Sequence, residues 1–311
     1  MVSLGRNYEL MKMCFGVLRK DKEILWFPVM AGVLLCIVVL LFVFSFFAYT
    51  AFFVELLVLA ILVIPVLAVF LGVFFEAAVV GCATIRLRGG DPRIRDGLRI
   101  ASENSWPLLQ WAIIIVIVGV ALAIVRAILN KLTGKSRGFA FLTGLSQLCR
   151  ASVDPQLSIR SMKESRVGIG DIVAGGLGIA WSAATFFVIP VILYEELSSF
   201  EAIKRSGEII KSVWGETLIL SLGIGVVFVF IGMFGGLGLI FIGAMVGSGA
   251  MGLVVAVAYW VALACLYFAL NGVLRAALYE VSEIDEQREV EVQSSHSKEF
   301  DSLLKFVNSF R

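Results

Sequence analysis

The chain has 311 residues, of which 59% are hydrophobic and 16% are charged, and its formal net charge is +2. Soluble domains are roughly 45–50% apolar, so this composition indicates an integral membrane protein. The small net charge argues against a nucleic-acid partner. The five cysteines are scattered and the single histidine, His296, lies in a polar tail. We therefore expect neither a disulfide framework nor a metal site, and no motif indicates a cofactor.

The chain begins with a predicted amphipathic helix at residues 3–22, which we place on the membrane surface. Its apolar face comprises Tyr8, Met11, Phe15 and Leu18. The segment lacks the short apolar stretch of a signal peptide, so we expect no cleavage. Trp26 and the helix breaker Pro28 end it, and the first two membrane spans are predicted at 24–49 and 52–84.

A second surface helix follows the turn at residues 89–92, with Asp91 predicted as its N-cap and Pro92 at its first helical position. Its apolar face comprises Ile94, Leu98 and Ala101, and its basic residues are Arg93, Arg95 and Arg99. Trp106 and Pro107 end it, and the third span is predicted at 106–129. Because tryptophan favours the headgroup region, Trp106 is expected to mark the edge of the bilayer.

The only long connection is the polar and basic segment 130–171, in which a short amphipathic helix is predicted. That helix would present Phe139, Leu142, Leu145 and Leu148. The fourth span is predicted at 172–194. A third surface helix then begins with a capping box formed by Ser198 and Glu201. Its apolar face comprises Leu197, Phe200, Ile203 and Ile210, its basic residues are Lys204, Arg205 and Lys211, and it is predicted to end at Trp214 and Gly215.

Residues 217–279 are almost continuously apolar and would measure about 95 Å as one helix, so they must fold back as two spans. We place their turn at 243–249. An acidic segment begins at 280, followed by a polar hinge at 293–298 and an amphipathic terminal helix. The predicted fold is an all-α membrane protein with six transmembrane helices in three hairpins, each preceded by a cytoplasmic interfacial helix. Residues 1–279 form one bundle and 280–311 a cytoplasmic tail.

The distribution of basic residues predicts the orientation of the chain. Eighteen of the 26 lysines and arginines lie in the segments that join the spans on the side of both termini, and seven lie in the opposite segment 130–171. The positive-inside rule therefore places both termini and all three surface helices in the cytoplasm, in a protein of the plasma membrane. The seven basic residues of the long connection are evidence against this orientation.

Ionisable side chains inside the apolar runs are the only candidates for chemistry, because a charge in the bilayer core usually has a partner or a role. Glu55 could pair with Arg126 towards the non-cytoplasmic side. Glu76 could pair with Arg275, or with Asn271 one turn earlier. The simpler interpretation is that these residues only hold helices together, and the alternative is a transport or relay path.

Several segments have a distinctive sequence: DKEILWFP at 21–28, RLRGGDPRIRDGLRIA at 86–101, TFFVIPVILYEE at 185–196, the SxxEAIKRS and WGE pieces at 198–206 and 214–216, and RAALY at 275–279. Together they resemble a prokaryotic family of multi-pass membrane proteins, the domain of unknown function DUF6159. The resemblance covers most of 1–133 and 167–279 and implies six spans. It implies no activity and no catalytic residue. Residues 134–166 depart from the pattern and look like an insertion.

Three classes of function remain open from the sequence. The first is a non-enzymatic membrane component that organises either lipid, with anionic headgroups as the candidates, or a membrane or cytoplasmic protein partner. The second is a permease for a small molecule or lipid, and the third is a membrane enzyme, which would need clustered catalytic groups that the sequence does not present. A cavity that reaches the bilayer midplane would favour the permease.

Overall fold

A computed structural model describes residues 4–48, 53–132, 169–195, 197–245 and 249–308. These residues fold into helices and contain no strand. Six of the helical segments are long and apolar enough to cross a membrane, as the apolar runs predict, and they make the chain a multi-pass membrane protein. The amphipathic helix predicted within 130–171 lies outside the described residues.

Nine α-helices follow one another along the chain. They are α1 (Leu4–Lys20), α2 (Trp26–Ala48), α3 (Phe53–Leu87), α4 (Ile94–Glu103), α5 (Ser105–Leu132), α6 (Ile169–Ala184), α7 (Val188–Tyr194), α8 (Ser199–Met245) and α9 (Gly249–Asn308), among the residues that the structure describes. A short 3-10 helix, Lys22–Leu25, joins α1 to α2. The turn between the last two spans falls where the sequence predicts it, because α8 ends at Met245 and α9 begins at Gly249.

Helix α3 lies at the centre of the bundle and contacts α2, α4, α5, α7 and α9. Its residues Ala77, Ala78, Val79 and Val80 are fully buried in succession, which requires neighbours on every side. The corresponding stretch of α9, from Ala269 to Tyr279, is buried in the same way. Both stretches lie near the end of the bundle at which α3 ends, so the core is concentrated there.

Large apolar side chains are exposed along the other half of the spans. Examples are Leu40, Phe44, Phe241 and Met251, each more than 60% exposed. A water-soluble protein rarely leaves such a continuous apolar surface uncovered, whereas acyl chains cover it without cost. The exposure therefore fits helices that face lipid.

The apolar faces predicted for the first and third surface helices are only partly buried in the protein. Phe15 and Phe200, which belong to these faces, are 44% and 75% exposed. The small residues Cys14 and Val17 of α1, and Ala202 and Ser206 of α8, are buried in their place. Small side chains allow helices to approach closely, and bulky apolar side chains can face acyl chains instead. Leu18 and Ile210 are buried as expected, and Tyr8 lies outside the residues whose side chains are described.

Two predicted breaks are absent from the backbone. Helix α8 continues through Trp214 and Gly215, and α9 continues through the predicted hinge at 293–298. A glycine in a helix costs only about 1 kcal/mol relative to alanine, which is less than the cost of unpaired backbone groups near the hydrocarbon core. The predicted hinge contains Gln, Ser, His and Lys, none of which breaks a helix.

The fourth span, predicted as one segment at 172–194, is broken. Helix α6 ends at Ala184, Thr185–Phe187 form a turn, and α7 begins at Val188. The backbone of the turn is satisfied within the protein: the Phe186 N–H donates to the Ala183 carbonyl at 3.2 Å. The Phe187 N–H donates to the buried Ser206 Oγ of α8 at 3.0 Å. Such a break inside a membrane is tolerated only where protein or a cavity surrounds it.

Helix α4 begins two residues later than predicted. Arg93 is its N-cap, and its N–H donates to the Asp96 carboxylate at 2.9 Å. Asp91, the predicted N-cap, instead accepts a hydrogen bond from Arg86. Gly97 lets α4 dock closely on α3, since a Cβ atom there would lie 2.7 Å from the Ala78 carbonyl oxygen. Ala101 is buried in the same contact, as predicted.

Candidate functional site

The spans are joined by ion pairs at one end of the bundle, which we call the charged end and define by Asp21, Arg86, Arg88, Glu195 and Tyr279. Arg86, in the last turn of α3, forms an ion pair with the buried Asp21 between α1 and α2. Its Nη2 also lies 2.6 Å from Asp91 Oδ1, after α3 has ended. One guanidinium therefore joins the start of α2 to the end of α3, because its planar fork can bind two carboxylates.

A second arginine joins the end of α3 to α9. Arg88 Nη2 lies 2.8 Å from Glu280 Oε1 and 3.5 Å from Glu283 Oε2. Its guanidinium also lies 5.5 Å from the centroid of the Tyr194 ring at the end of α7, a cation–π contact. The hydrogen bond to Glu280 raises the pKa of Arg88 above its ordinary value, so the side chain stays charged.

Tyrosine side chains and a third ion pair extend the charged end to α7 and α8. The rings of Tyr194 and Tyr279 are stacked with their centroids 6.0 Å apart. The Tyr279 hydroxyl donates to Glu195 Oε1 at 3.1 Å. Glu195 in turn accepts from Arg205 Nε of α8 at 3.1 Å, so Arg205, predicted to face headgroups, is engaged inside the protein.

The capping box predicted at the start of α8 is present in part. The Ser198 N–H donates to Glu201 Oε2 at 3.1 Å, as a capping box requires. The Ser198 hydroxyl also donates to the same oxygen, at 2.7 Å. These two hydrogen bonds lower the pKa of the exposed Glu201 carboxyl.

The charged end collects the segments that carry the family resemblance. Asp21 comes from DKEILWFP, Arg86 and Arg88 from RLRGGD, Glu195 from LYEE, and Tyr279 from RAALY. Each segment contributes a side chain whose partner lies on a different part of the chain. These segments, which are far apart in the sequence, therefore meet at the charged end.

The structure brings Glu76 and Arg275 together deeper in the bundle. Arg275 Nη1 of α9 lies 2.8 Å from Glu76 Oε1 of α3, and both side chains are less than a tenth exposed. The guanidinium of Arg275 also lies over the Phe186 ring, 5.0 Å from its centroid, so the pair contacts the break in the fourth span. At 1.5 Å per residue, Glu76 lies about 18 Å along the chain from Arg88, and Arg275 lies about 8 Å along α9 from Glu280. The pair therefore lies inside the spans, between the charged end and the middle of a bilayer core of about 30 Å.

A cavity of about 230 Å³ opens beside this ion pair. Five of the spans line it. Its polar lining residues are Glu76, Arg275, Ser182 and Thr185, and its apolar lining includes Val69, Gly72, Trp111 and Ile189. The indole of Trp111 stacks on Trp181, with centroids 6.0 Å apart, and forms one wall. The cavity is thus polar at the ion pair and apolar elsewhere.

Most of the remaining predicted site residues lie on the surface of the protein. Arg93, Arg95, Arg99, Lys204 and Lys211 are all exposed. Arg99 pairs with Glu103 of its own helix at 3.3 Å. Asn271 does not bind Glu76, because its side-chain amide donates to the Tyr267 carbonyl one turn earlier at 3.1 Å. The Glu55 side chain is not among those that the structure describes, so its pairing with the half-buried Arg126 stays a prediction.

The model of the family of unknown function DUF6159 matches residues 51–153 and 147–288, more than half of the chain. The chain belongs to family DUF6159. No curated protein and no solved structure matches it. The DUF6159 match covers Glu76 and Arg275 and ends shortly after the last residues of the charged end. It begins at residue 51, so it does not include Asp21 or the segment 21–28, to which the predicted resemblance extended.

Sequence reasoning missed several functional candidates in this DUF6159 chain. It did not anticipate Tyr194, Tyr279 and Glu195 as one cluster, although their placement at the ends of predicted spans was a usable signal. It also missed the break at Thr185–Phe187, because Phe186 and Phe187 continue an apolar run without interruption. The hydroxyl of Thr185, which donates to the Trp181 carbonyl, and the hydroxyl of Ser206, which accepts from the Phe187 N–H, distinguish this region chemically. Pro190 was a further signal, because it has no N–H with which to continue a helix from Phe186.

Proposed function

We propose that this protein is a non-enzymatic component of the plasma membrane that holds anionic lipid headgroups at its cytoplasmic face. In this proposal the six spans form three hairpins, each preceded by an interfacial amphipathic helix, and both termini are cytoplasmic. The 18 basic residues in the segments on that side support the orientation. The partner is a lipid surface, and no nucleic acid is involved.

The observation that carries the proposal is the arrangement of α4. Gly97 and Ala101 fix one face of this helix against α3, while Arg93, Arg95 and Arg99 are exposed. A docked helix holds its exposed arginines in place, so less conformational entropy is lost when they bind a phosphate group. Near an anionic surface each basic residue contributes about 1 kcal/mol.

Lipid retention tests the proposal directly. The purified full-length protein is exchanged into nanodiscs that contain phosphatidylglycerol or only phosphatidylcholine, and bound lipid is counted by native mass spectrometry. The variant Arg93→Gln, Arg95→Gln, Arg99→Gln should lose most of its preference for phosphatidylglycerol at low salt, up to about a hundredfold. The preference of the wild type should fall as salt rises, because salt screens exposed charges.

A matched control removes the same charge elsewhere on the same side of the membrane. Arg19, Lys20 and Lys22 are exposed in or just after α1, and their replacement by Gln should leave the preference for phosphatidylglycerol largely intact. Equal losses in both variants would mean that the effect is general surface charge. An unchanged preference in the α4 variant would mean that the surface helices only surround the bundle and set its depth in the membrane. Loss of a co-purifying protein, with lipid retention unchanged, would favour a protein partner instead.

A second candidate function is a permease for a small molecule or lipid. It is favoured by one observation, the cavity among five spans that lies beside both a broken span and the Glu76–Arg275 pair. Discontinuous spans next to a central cavity recur in membrane transporters, where they form the substrate site. Uptake into proteoliposomes of the ligand class inferred below is the test, with Glu76→Gln as the variant that should reduce the uptake rate.

A further inference from the structure

We propose that the cavity between α2, α3, α5, the broken fourth span and α9 is a binding site for a small uncharged amphiphile, with one hydroxyl group on an apolar body. The inference goes beyond the headgroup proposal and is independent of it. It gives the permease candidate a ligand class, but it requires binding alone.

The polar end of the cavity has hydrogen-bonding capacity left over. Arg275 carries five N–H donors, and its contact with Glu76 uses Nη1. Its Nε is buried without a hydrogen-bond partner among the described residues. Buried donors of this kind are normally paired, and an unpaired one needs an explanation such as an unseen partner. A ligand oxygen beside Arg275 is such a partner.

The charges of the site decide between a charged and an uncharged ligand. Glu76 and Arg275 neutralise each other, and no third charged side chain of the described residues lines the cavity. A ligand with its own charge would therefore bury a charge without a counter-ion, which is strongly unfavourable in a low-dielectric site. A hydroxyl group satisfies both partners without a net charge, since it accepts from Arg275 and donates to Glu76.

The apolar walls set the size and shape of the ligand. Val69, Val73, Ile115 and Ile189 offer only apolar contact, and Trp111 adds an aromatic face. Benzene occupies cavities of about 150 Å³ in protein cores, so a cavity of about 230 Å³ accommodates about nine non-hydrogen atoms. A phenyl ring with a two-carbon hydroxyalkyl chain has this size.

The experiment uses 2-phenylethanol as the probe and the full-length protein in nanodiscs. Binding is measured by equilibrium dialysis, with empty nanodiscs subtracted to remove partition into lipid. We expect saturable binding to one site. Ethylbenzene lacks the hydroxyl group and phenylacetate carries a negative charge, and each should bind at least tenfold more weakly.

Two glycine variants locate the site. Gly72 lines the cavity and a Cβ atom there meets open space, so Gly72→Leu should fill the cavity and abolish saturable binding. Gly176 of α6 is exposed and also meets open space, so Gly176→Leu makes the same chemical change outside the cavity and should bind normally. Ala68→Leu on the same wall as Gly72 is the second blocking variant.

The outcomes separate cleanly. Ethylbenzene binding as tightly as 2-phenylethanol would overturn the role of the ion pair, and tighter binding of phenylacetate would overturn the preference for an uncharged ligand. Retained binding in a folded Gly72→Leu protein would place the ligand elsewhere. The three-probe series on the wild type decides the ligand class even where a blocking variant does not fold, and it leaves the lipid-retention result untouched.

Discussion

Gly272 of α9 packs so closely on Val79 of α3 that a Cβ atom at position 272 would lie 3.1 Å from Val79 Cβ. This contact lies one helical turn from the Glu76–Arg275 pair, and it brings the two helices within reach of that ion pair. The replacement Gly272→Ala should separate the helices and lower the free energy of unfolding by about 1–3 kcal/mol, as overpacking of a core does. This loss of stability is measured by unfolding in mixed micelles that contain an increasing fraction of denaturing detergent.

The control for this prediction is Gly176→Ala on α6, where a Cβ atom meets open space. Its higher helix propensity should leave the stability unchanged or raise it by up to about 1 kcal/mol. Equal effects of the two substitutions would mean that the close contact at Gly272 does not determine stability.

The second prediction concerns the Glu76–Arg275 pair as a structural unit. Removing one partner from a buried ion pair typically costs about 3–5 kcal/mol, because the other charge stays buried without compensation. Glu76→Gln and Arg275→Met should therefore each lower the free energy of unfolding or the yield of folded protein. The double variant should be closer to the wild type than either single variant, and this comparison forms a double-mutant cycle.

If both single variants match the wild type in stability and yield, the pair does not hold the helices together. A relay role would then remain for these two charges, and the uptake assay would be the informative one. The pair Glu55–Arg126 calls for the same cycle of variants, since it rests on the same sequence argument.

The third prediction concerns the pH dependence of Cys14 on α1. Burial raises the pKa of this thiol to about 12, against a usual value of about 9. The folded protein therefore favours the neutral thiol, and its contribution to stability is complete below pH 9 and is lost as the pH rises from about 9 to about 12. A protein that keeps Cys14 as its only cysteine should react slowly with iodoacetamide at pH 8 when folded, and rapidly when denatured.

The same single-cysteine protein should become less stable between about pH 9 and pH 12, and Cys14→Ala should remove this part of the pH dependence. Fast labelling of the folded protein at pH 8 would show that α1 does not bury the thiol. It would also contradict the packing of α1 in which Cys14 and Val17, and not Phe15, face the protein.

The fourth prediction is the orientation that the basic residues favour. Single cysteines introduced at positions 3 and 309 should be labelled by an impermeant reagent only from the cytoplasmic side, and a cysteine at position 136 only from the opposite side. Labelling of position 136 from the cytoplasm would invert the topology, because the seven basic residues of 130–171 would then dominate.

The sequence predicted the membrane spans better than it predicted the faces that pack. Span length depends on the number of consecutive apolar residues, and the run 217–279 is too long for one crossing, so even its turn near Gly249 could be located. In lipid, however, an apolar side chain gains little by leaving the acyl chains for a neighbouring helix. Periodicity therefore could not show that Ser206 would be buried and Phe200 exposed.

The candidate site was partly predictable for a similar reason. A carboxylate and an arginine at similar depth in two spans are expected to meet, and Glu76 and Arg275 do lie in contact. The cavity depends on how five helices meet, which no local pattern encodes. The break at Thr185–Phe187 did have a local signal in Pro190, which has no N–H to bond the Phe186 carbonyl. The exposed Arg93, Arg95 and Arg99 follow directly from the helical spacing of their positions on α4.

The contact between Arg88 and Glu280 joins residues that are 192 positions apart, and it has a consequence for biogenesis. A chain inserted from its N-terminus can form the Asp21–Arg86 pair as soon as its first two spans are in place. Arg88, Tyr194 and Glu76 must wait for the last helix to be made, since their partners Glu280, Tyr279 and Arg275 all lie on α9. The bundle is therefore completed only when α9 is in place. A nascent chain without α9 presents the Glu76 carboxylate to lipid and leaves Arg88 without its carboxylate partner at the edge of the membrane. A membrane quality-control protease can recognise such features.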